Sequence, residues 1–100
     1  MSPVQRRVKN VIARAGEAFS VGASSRKGIF AFLAPGAANT YVDPGIVAAL
    51  PRPIRVAYVG FDDVTAESDT VSYAAASLTV YRALDLRHRG EVVARMLVLA

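Results

Sequence analysis

The chain has 100 residues, which is enough for one small domain with a modest core, and 18 of its hydrophobic residues are alanine. The absence of cysteine excludes disulfides and thiolate metal sites, and no uncharged apolar run is long enough to span a membrane, so no membrane partner is expected. The net charge of +4 is compatible with nucleic acid as a partner, but the distribution of charge is more informative than its sum.

Residues 1–16 are predicted to form a short basic amphipathic helix. Ser2 offers a cap, and Pro3 follows it at the first helical position. Gly16 is expected to end the helix in the left-handed conformation. Cations and an asparagine separate apolar residues that recur at helical spacing. These apolar residues are Val4, Val8, Val11, Ile12 and Ala15.

Residues 17–33 are predicted to form a strand pair, with strands at 17–23 and 27–33 and a turn at Ser24, Ser25 and Arg26. Residues 34–53 follow as a long loop, which holds four of the five prolines and at most one helical turn at 46–50. Loops of this length in a compact domain are usually functional or disordered.

Residues 54–100 form a β-rich remainder. A strand at 54–61 leads into an acidic turn, and strand-like runs then continue to residue 99. About six short strands after one helix predict a mainly β fold, a small β-barrel or sandwich with the N-terminal helix packed on it and a long inserted loop. Residues 1–100 are predicted to be one domain.

The last hairpin, residues 81–99, raises the question of what covers it. A strand with one solvated face should alternate apolar and polar residues, but the second strand of this hairpin is nearly apolar on both faces. It therefore needs cover on both sides. One face carries Val92, Ala94, Met96 and Val98, and the other carries Val93, Arg95, Leu97 and Leu99.

Charge is distributed unevenly along the chain. Residues 1–30 hold six cations and one acid, whereas residues 61–76 hold four acids and no cation. This asymmetry suggests that the basic part of one copy meets the acidic part of the next, as in contacts that close rings. Two unrelated solvated surfaces are the alternative.

No catalytic or cofactor-binding pattern is present, so an enzyme is not expected. His88 lies between two arginines in a predicted turn, without a carboxylate to orient it. The serines at 24 and 25 precede a basic pair but lack the spacing of a phosphate-binding loop. Asp62 and Asp63 lack further spaced oxygen ligands for a metal ion. The tyrosines do not cluster with the cations in sequence, so core and interface roles come before nucleic-acid stacking.

The order of these features resembles a known family. A basic helix ending NVIARAGEAFSV is followed by a KGIF strand, a long proline-bearing loop, a strand leading into an acid-rich turn, and SDTVSYAAASLTVYRALDLRHRGEVVARMLVL. This order is similar to that of the head-completion, stopper or head-tail connector proteins of long-tailed bacteriophages and related gene transfer agents. The usual glycine-aspartate before a late strand is Ser68-Asp69 here, and alanines 74–76 stand where a glycine turn is common.

The resemblance implies a non-enzymatic subunit of a homo-oligomeric ring, a hexamer or dodecamer, without a cofactor. Such a ring lies in the neck of a virion or virion-like particle, between the portal adaptor protein and the tail terminator or tail tube, and its subunit is made in the bacterial cytoplasm. The resemblance further implies that the loop at 34–53 projects toward the channel and helps to retain packaged DNA. The channel-loop residues would be Pro35, Asn39, Tyr41, Asp43, Pro44, Ile46 and Arg52.

In such a ring, one face of the last hairpin would fill the subunit's own barrel and the other would meet a neighbour or the adaptor. The residues expected at ring or adaptor interfaces are Arg6, Arg7, Arg14, Asp62, Asp63, Glu67, Arg82, Arg95, Leu97 and Leu99.

Two alternatives remain open from the sequence. A tail terminator or other tail-completion ring subunit shares the location but contacts the tail tube. A small nucleic-acid-binding β-barrel is an alternative of another class, and strong, salt-sensitive affinity for free DNA would favour it. Its binding residues would be Arg6, Arg7, Lys9, Arg14, Arg26 and Lys27.

Overall fold

The computed structural model describes the backbone of residues 1–100 and all side chains except that of Pro35. The predicted mainly β fold is confirmed: six antiparallel strands form a closed barrel in the order β1-β2-β3-β6-β5-β4, with a helix at the N-terminus. The elements are α1 (Pro3–Ala15), β1 (Glu17–Val21), β2 (Ser24–Phe32), α2 (Pro35–Ala38), α3 (Pro44–Ala49), β3 (Arg55–Gly60), β4 (Thr70–Tyr73), β5 (Ala76–His88) and β6 (Glu91–Leu99).

The α1 helix begins as its sequence predicts. The Ser2 hydroxyl accepts a hydrogen bond from the Gln5 amide, and the Gln5 side chain accepts one from the Ser2 amide, so both ends of a capping box are present. The prediction for Gly16 was wrong in its conformation, because its φ of −74° is extended rather than left-handed. Glycine is still required there, since a Cβ would collide with the carbonyl oxygen of Ile12.

The first hairpin turns earlier than predicted. Gly22 and Ala23 form a two-residue turn, and β2 already begins at Ser24, so the three residues expected in the turn belong to the strand. Gly22 has a φ of +60°, a conformation that glycine adopts without steric cost. The longer β2 includes Arg26, whose side chain reaches Asp63 and Thr65 in the acidic segment after β3.

The interior of the barrel is one apolar cluster to which all strands contribute. Gly28 lies in the middle of β2, and a Cβ at this position would lie 3.1–3.2 Å from the side chains of Val59 and Phe19. The missing side chain therefore makes room for the Phe19 ring. The buried members of this cluster are Phe19, Ala57, Val59, Val71, Leu78, Val80, Leu97 and Leu99.

Residues 34–53, called the insert below, contain two short helices rather than one helical turn in a loop. The Asp43 carboxylate caps α3 by accepting a hydrogen bond from the Gly45 amide at 2.8 Å. The insert packs on the outside of the barrel and forms a second apolar cluster with β3 and β6. The buried members of this cluster are Ala38, Val42, Val47, Leu50, Ile54, Val56, Met96 and Val98.

Strand β6 is buried on both faces, as its sequence predicts, and the chain itself supplies the cover. Met96 and Val98 lie under the insert, and Ala94 faces α1. Leu97 and Leu99 point into the barrel and have no exposed surface. The expected interface position of these two leucines was therefore wrong, because barrel closure turns their face of β6 inward.

The turn between β4 and β5 carries backbone strain. Ala74 and Ala75 have φ values of +49° and +64°, in a two-residue turn that normally holds asparagine and glycine. An L-residue in this region costs roughly 1–2 kcal/mol. Both alanines thus adopt a backbone conformation that glycine takes without steric cost.

None of the helices in the described residues has the length and apolar character needed to cross a membrane.

Replacement of Leu97 tests its place in the core. Leu97→Ala should lower the free energy of unfolding by about 2–5 kcal/mol, because it leaves a cavity in a closed apolar interior. Val64→Ala is the control, since Val64 is 76% exposed and its truncation should change stability by less than about 0.5 kcal/mol. Urea denaturation followed by circular dichroism measures both. Equal small effects would contradict the interior position of Leu97.

Candidate functional site

A buried polar cluster closes one end of the barrel and fastens residues 61–69, called the acidic loop below. The guanidinium of Arg95 donates to the carbonyl oxygens of Asp63 and Thr65 at 2.5 and 2.8 Å. Arg26 donates to the Thr65 hydroxyl at 2.6 Å and to the Asp63 carboxylate at 3.2 Å. Thr65 is buried, and its polar atoms are satisfied. Arg95, which was expected at a ring or adaptor interface, is therefore held at the barrel end by contacts within the chain.

The acidic loop pairs with the basic N-terminal part within one chain. Lys9 of α1 contacts Asp62 at 2.8 Å, and Arg26 of β2 contacts Asp63 at 3.2 Å. On the other side, Glu67 lies 3.8 Å from Arg82 of β5. The hydrogen bond from Lys9 lowers the pKa of Asp62 below its usual 3.8. Some of the charges that were expected to meet between copies thus form ion pairs within one chain, and these pairs hold the acidic loop.

Three expected interface cations remain on the outer side of α1. Arg6, Arg7 and Arg14 are exposed, and none forms an ion pair with a described carboxylate. Their helix is held by contacts at both ends: Gln5 donates to the carbonyl of Val92, and Lys27 donates to that of Ala13. The cations are therefore displayed on a fixed helix.

An apolar groove of about 330 Å³ runs between α1 and the barrel wall. Tyr58 and Val11 stand partly exposed at its sides. The groove is lined by Arg7, Val8, Val11 and Ile12 of α1 and by Ile29, Tyr58 and Ala94 of the barrel. This surface, called the α1 groove below, combines apolar walls with a cation at its edge.

The other end of the barrel carries an aromatic cluster. The rings of Phe30 and Tyr73 stack at 3.7 Å, and Phe32 is 74% exposed with the Arg55 guanidinium 5.7 Å from its ring centre. The Tyr73 hydroxyl donates to Glu17 at 2.7 Å, and this bond raises the pKa of Tyr73 above its usual 10. These residues line a cavity of about 360 Å³ at the barrel mouth.

Sequence reasoning missed this cluster because its members come from four strands. Phe30 and Tyr73 are far apart in the chain, and only barrel closure brings them together. The one local signal is the alternation Gly28, Phe30, Phe32 in β2, which places both phenylalanines on one strand face.

The predicted channel residues take different positions in the insert. Asn39, Pro44 and Ile46 are exposed, while Tyr41 packs against the second apolar cluster. The Arg52 guanidinium turns back and donates to the carbonyls of Val47 and Leu50 at 3.1 Å. Asp43 serves as the α3 cap, and the side chain of Pro35 lies outside the described part of the structure.

The described side chains show no arrangement suited to catalysis by a nucleophile and base. His88 is exposed in the last strand before the β5–β6 turn, and the Ser24 hydroxyl accepts a hydrogen bond from Arg26. No described group of three histidine or carboxylate side chains is placed to hold a metal ion. Three surfaces of the described part of the chain are candidate sites: the α1 groove, the insert and the barrel mouth.

No protein-family model matches the chain, and no curated protein or solved structure is significantly similar to it.

Arg95 can be tested as the residue that fastens the acidic loop. Arg95→Met should lower the free energy of unfolding by about 3 kcal/mol, because the carbonyls of Asp63 and Thr65 lose a charged donor and Asp85 loses its closer ion-pair partner. Arg82→Met is the matched control, since its pair with Glu67 is exposed and long, and should cost less than about 0.5 kcal/mol. Denaturation in urea gives both values, and a loss no larger for Arg95 than for Arg82 would contradict the assignment.

The Lys9–Asp62 pair predicts a change in titration. Lys9→Met should raise the pKa of Asp62 toward 3.8, whereas Arg6→Met should leave it unchanged, because Arg6 contacts no described carboxylate. Carbon-13 NMR of the carboxyl groups measures this pKa. A pKa of Asp62 equally insensitive to both substitutions would show that the pair does not form.

The sign of the linked stability follows from the same shift. The pKa of Asp62 is lower in the folded chain than in the unfolded one, so the stabilisation from this pair is present above pH 3.8 and is lost as the pH falls through the folded value. The effect should be small, since both side chains are exposed to solvent.

Proposed function

We propose that this chain is a head-completion subunit, a structural component of a ring that joins the portal adaptor of a phage-type capsid to the tail and helps to retain packaged DNA. The observation that carries the proposal is the chain order of its features: basic helix, hairpin, proline-bearing insert, strand, acidic loop and final hairpin. A small closed barrel with a helix and an insert packed on its wall is compatible with a ring-wall subunit.

The insert suits a surface that lines a DNA channel. Its two charged side chains, Asp43 and Arg52, are opposite in sign and leave the insert without net charge, and both also form hydrogen bonds with its backbone. Asn39 and Ile46 are exposed and uncharged. Because affinity for DNA comes largely from cations that neutralise phosphates, such a surface would surround DNA without binding it tightly.

Barrel closure constrains how copies associate. Every described strand has a neighbour on both sides, so no whole strand is free to extend the sheet into another copy, and the longest strand segment without a partner on one side is 81–88 of β5, on the side of β4. Most contacts in a ring would therefore use side chains on the outside of the barrel. The exposed cations of α1 and the exposed part of the insert are available for such contacts.

The proposal is tested by locating the protein in particles. An antibody against the chain is used to follow it through a density gradient of particles from the source culture, beside purified tails and emptied heads as controls. We expect the protein to sediment with DNA-filled heads, because a head-completion protein is added after packaging. Its presence only on tails would favour the tail-terminator alternative, and its presence only in the soluble fraction would overturn a role in particles.

A nucleic-acid-binding barrel is the second candidate function, favoured by the barrel mouth. Phe32 is exposed beside Arg55, and base stacking on an aromatic ring beside a cation is a common mode of binding single strands. The carboxylate of Glu17 in the same cavity weighs against it, because it repels phosphate. Tight binding of free single-stranded DNA that weakens steeply with salt would favour this function over the ring subunit.

A further inference from the structure

The acidic side chains of this chain are all engaged in contacts within it. Of the eight acids, four form ion pairs: Asp62, Asp63, Glu67 and Asp85. The other four accept hydrogen bonds from backbone amides or hydroxyl groups: Glu17, Asp43, Asp69 and Glu91. A second copy could therefore bind a carboxylate of this chain only by sharing or displacing one of these internal contacts.

The cations are not engaged to the same extent. Five of the twelve pair with carboxylates, and three of the remainder, Arg6, Arg7 and Arg14, lie on the exposed side of α1. No acidic residue occurs in this helix. Three of the seven cations without a described carboxylate partner thus lie on one helix.

The same side of α1 is also apolar. Val4, Arg7, Val11 and Arg14 follow one another at spacings of three and four residues, so they form one stripe along the helix. Val11 is 51% exposed although it is a large aliphatic residue, and it borders the α1 groove. An exposed apolar groove with adjoining cations is typical of a surface that binds a partner.

We propose that the α1 groove binds an acidic amphipathic segment of another protein, with apolar side chains inserted between α1 and Tyr58 and with carboxylates against Arg7 and Arg14. This is the groove mode of recognition, in which apolar anchors supply affinity and charges set orientation. The inference does not depend on the head-completion role.

The geometry favours this partner over the two others that a basic helix can bind. A second copy of the chain would have to share or displace one of its internal contacts to place an acid against Arg7 and Arg14. Nucleic acid would bind the arginines through phosphates but would leave the apolar walls of the groove, including Val11 and Tyr58, without contacts.

The probe for the test is a fluorescein-labelled peptide of about four helical turns, with leucine along one face and glutamate beside it. Its binding to the full chain is measured by fluorescence anisotropy. Two control peptides replace all glutamates by glutamine or all leucines by serine. The proposal predicts saturable binding of the first peptide and at least about tenfold weaker binding of each control. No saturation up to about 1 mM peptide would overturn it.

Substitutions locate the binding surface. Arg7→Glu and Val11→Ser should each weaken binding of the first peptide about tenfold. Arg82→Glu and Val64→Ser, matched in chemistry and outside the α1 groove, should leave it unchanged. Circular dichroism verifies that all four variants fold, which is expected because Arg7, Val11, Arg82 and Val64 are exposed.

Two further results would overturn the proposal. The first is that Arg7→Glu abolishes binding of both a DNA duplex and the peptide, whereas Val11→Ser weakens neither. The surface would then be a site for polyanions. If sedimentation shows a dimer that Val11→Ser abolishes, the groove is covered by a second copy.

Discussion

The need to bury both faces of β6 constrains the rest of the structure. Its inner face, with Leu97 and Leu99, forms the centre of the barrel core, and its outer face is apolar as well. A chain of this length has few residues to spare for cover, so it uses the insert over Met96 and Val98 and α1 beside Ala94. The helix and the insert are thus structural layers of the barrel, and whatever they bind is presented by elements that the core itself holds in place.

The distribution of charge has a similar consequence. The acidic loop could have been the complement of the basic helix of another copy, but Lys9 and Arg26 reach it within the same chain. Arg95 adds hydrogen bonds to its backbone from inside the barrel end. Once these acids are engaged, the positive charge that remains on α1 has no counterpart in the chain, and this points to a partner that brings its own acidic groups. The proposed ring subunit and the proposed groove for an acidic segment are compatible with each other in such a molecule.

The features that were predicted correctly depend on residues that are close together in the sequence. The capped start of α1 and the two apolar faces of β6 are local patterns of period 3.6 and 2. The helices of the insert are short and depend on packing against Met96 and Val98, so the sequence, rich in proline and glycine, predicts one turn in the region of α3 and does not predict α2. The pairing of Arg26 with Asp63 and the stacking of Phe30 on Tyr73 require barrel closure, which no local pattern reveals. The α1 cations were identified from sequence, but the groove beside them was not, because Tyr58 and Ala94 come from distant strands.

Hydrogen exchange of the isolated monomer tests most directly whether the chain covers β6 by itself. The informative amides are those of Val42, Val47 and Leu50, which are hydrogen-bonded within the insert. If the insert is packed on β6 before any partner binds, these amides should exchange slowly, with protection well above that of unstructured chain. Exchange of these three amides at the rate of an unfolded peptide, while β1 and β2 remain protected, would contradict the account and would mean that the outer face of β6 is left open for a neighbour.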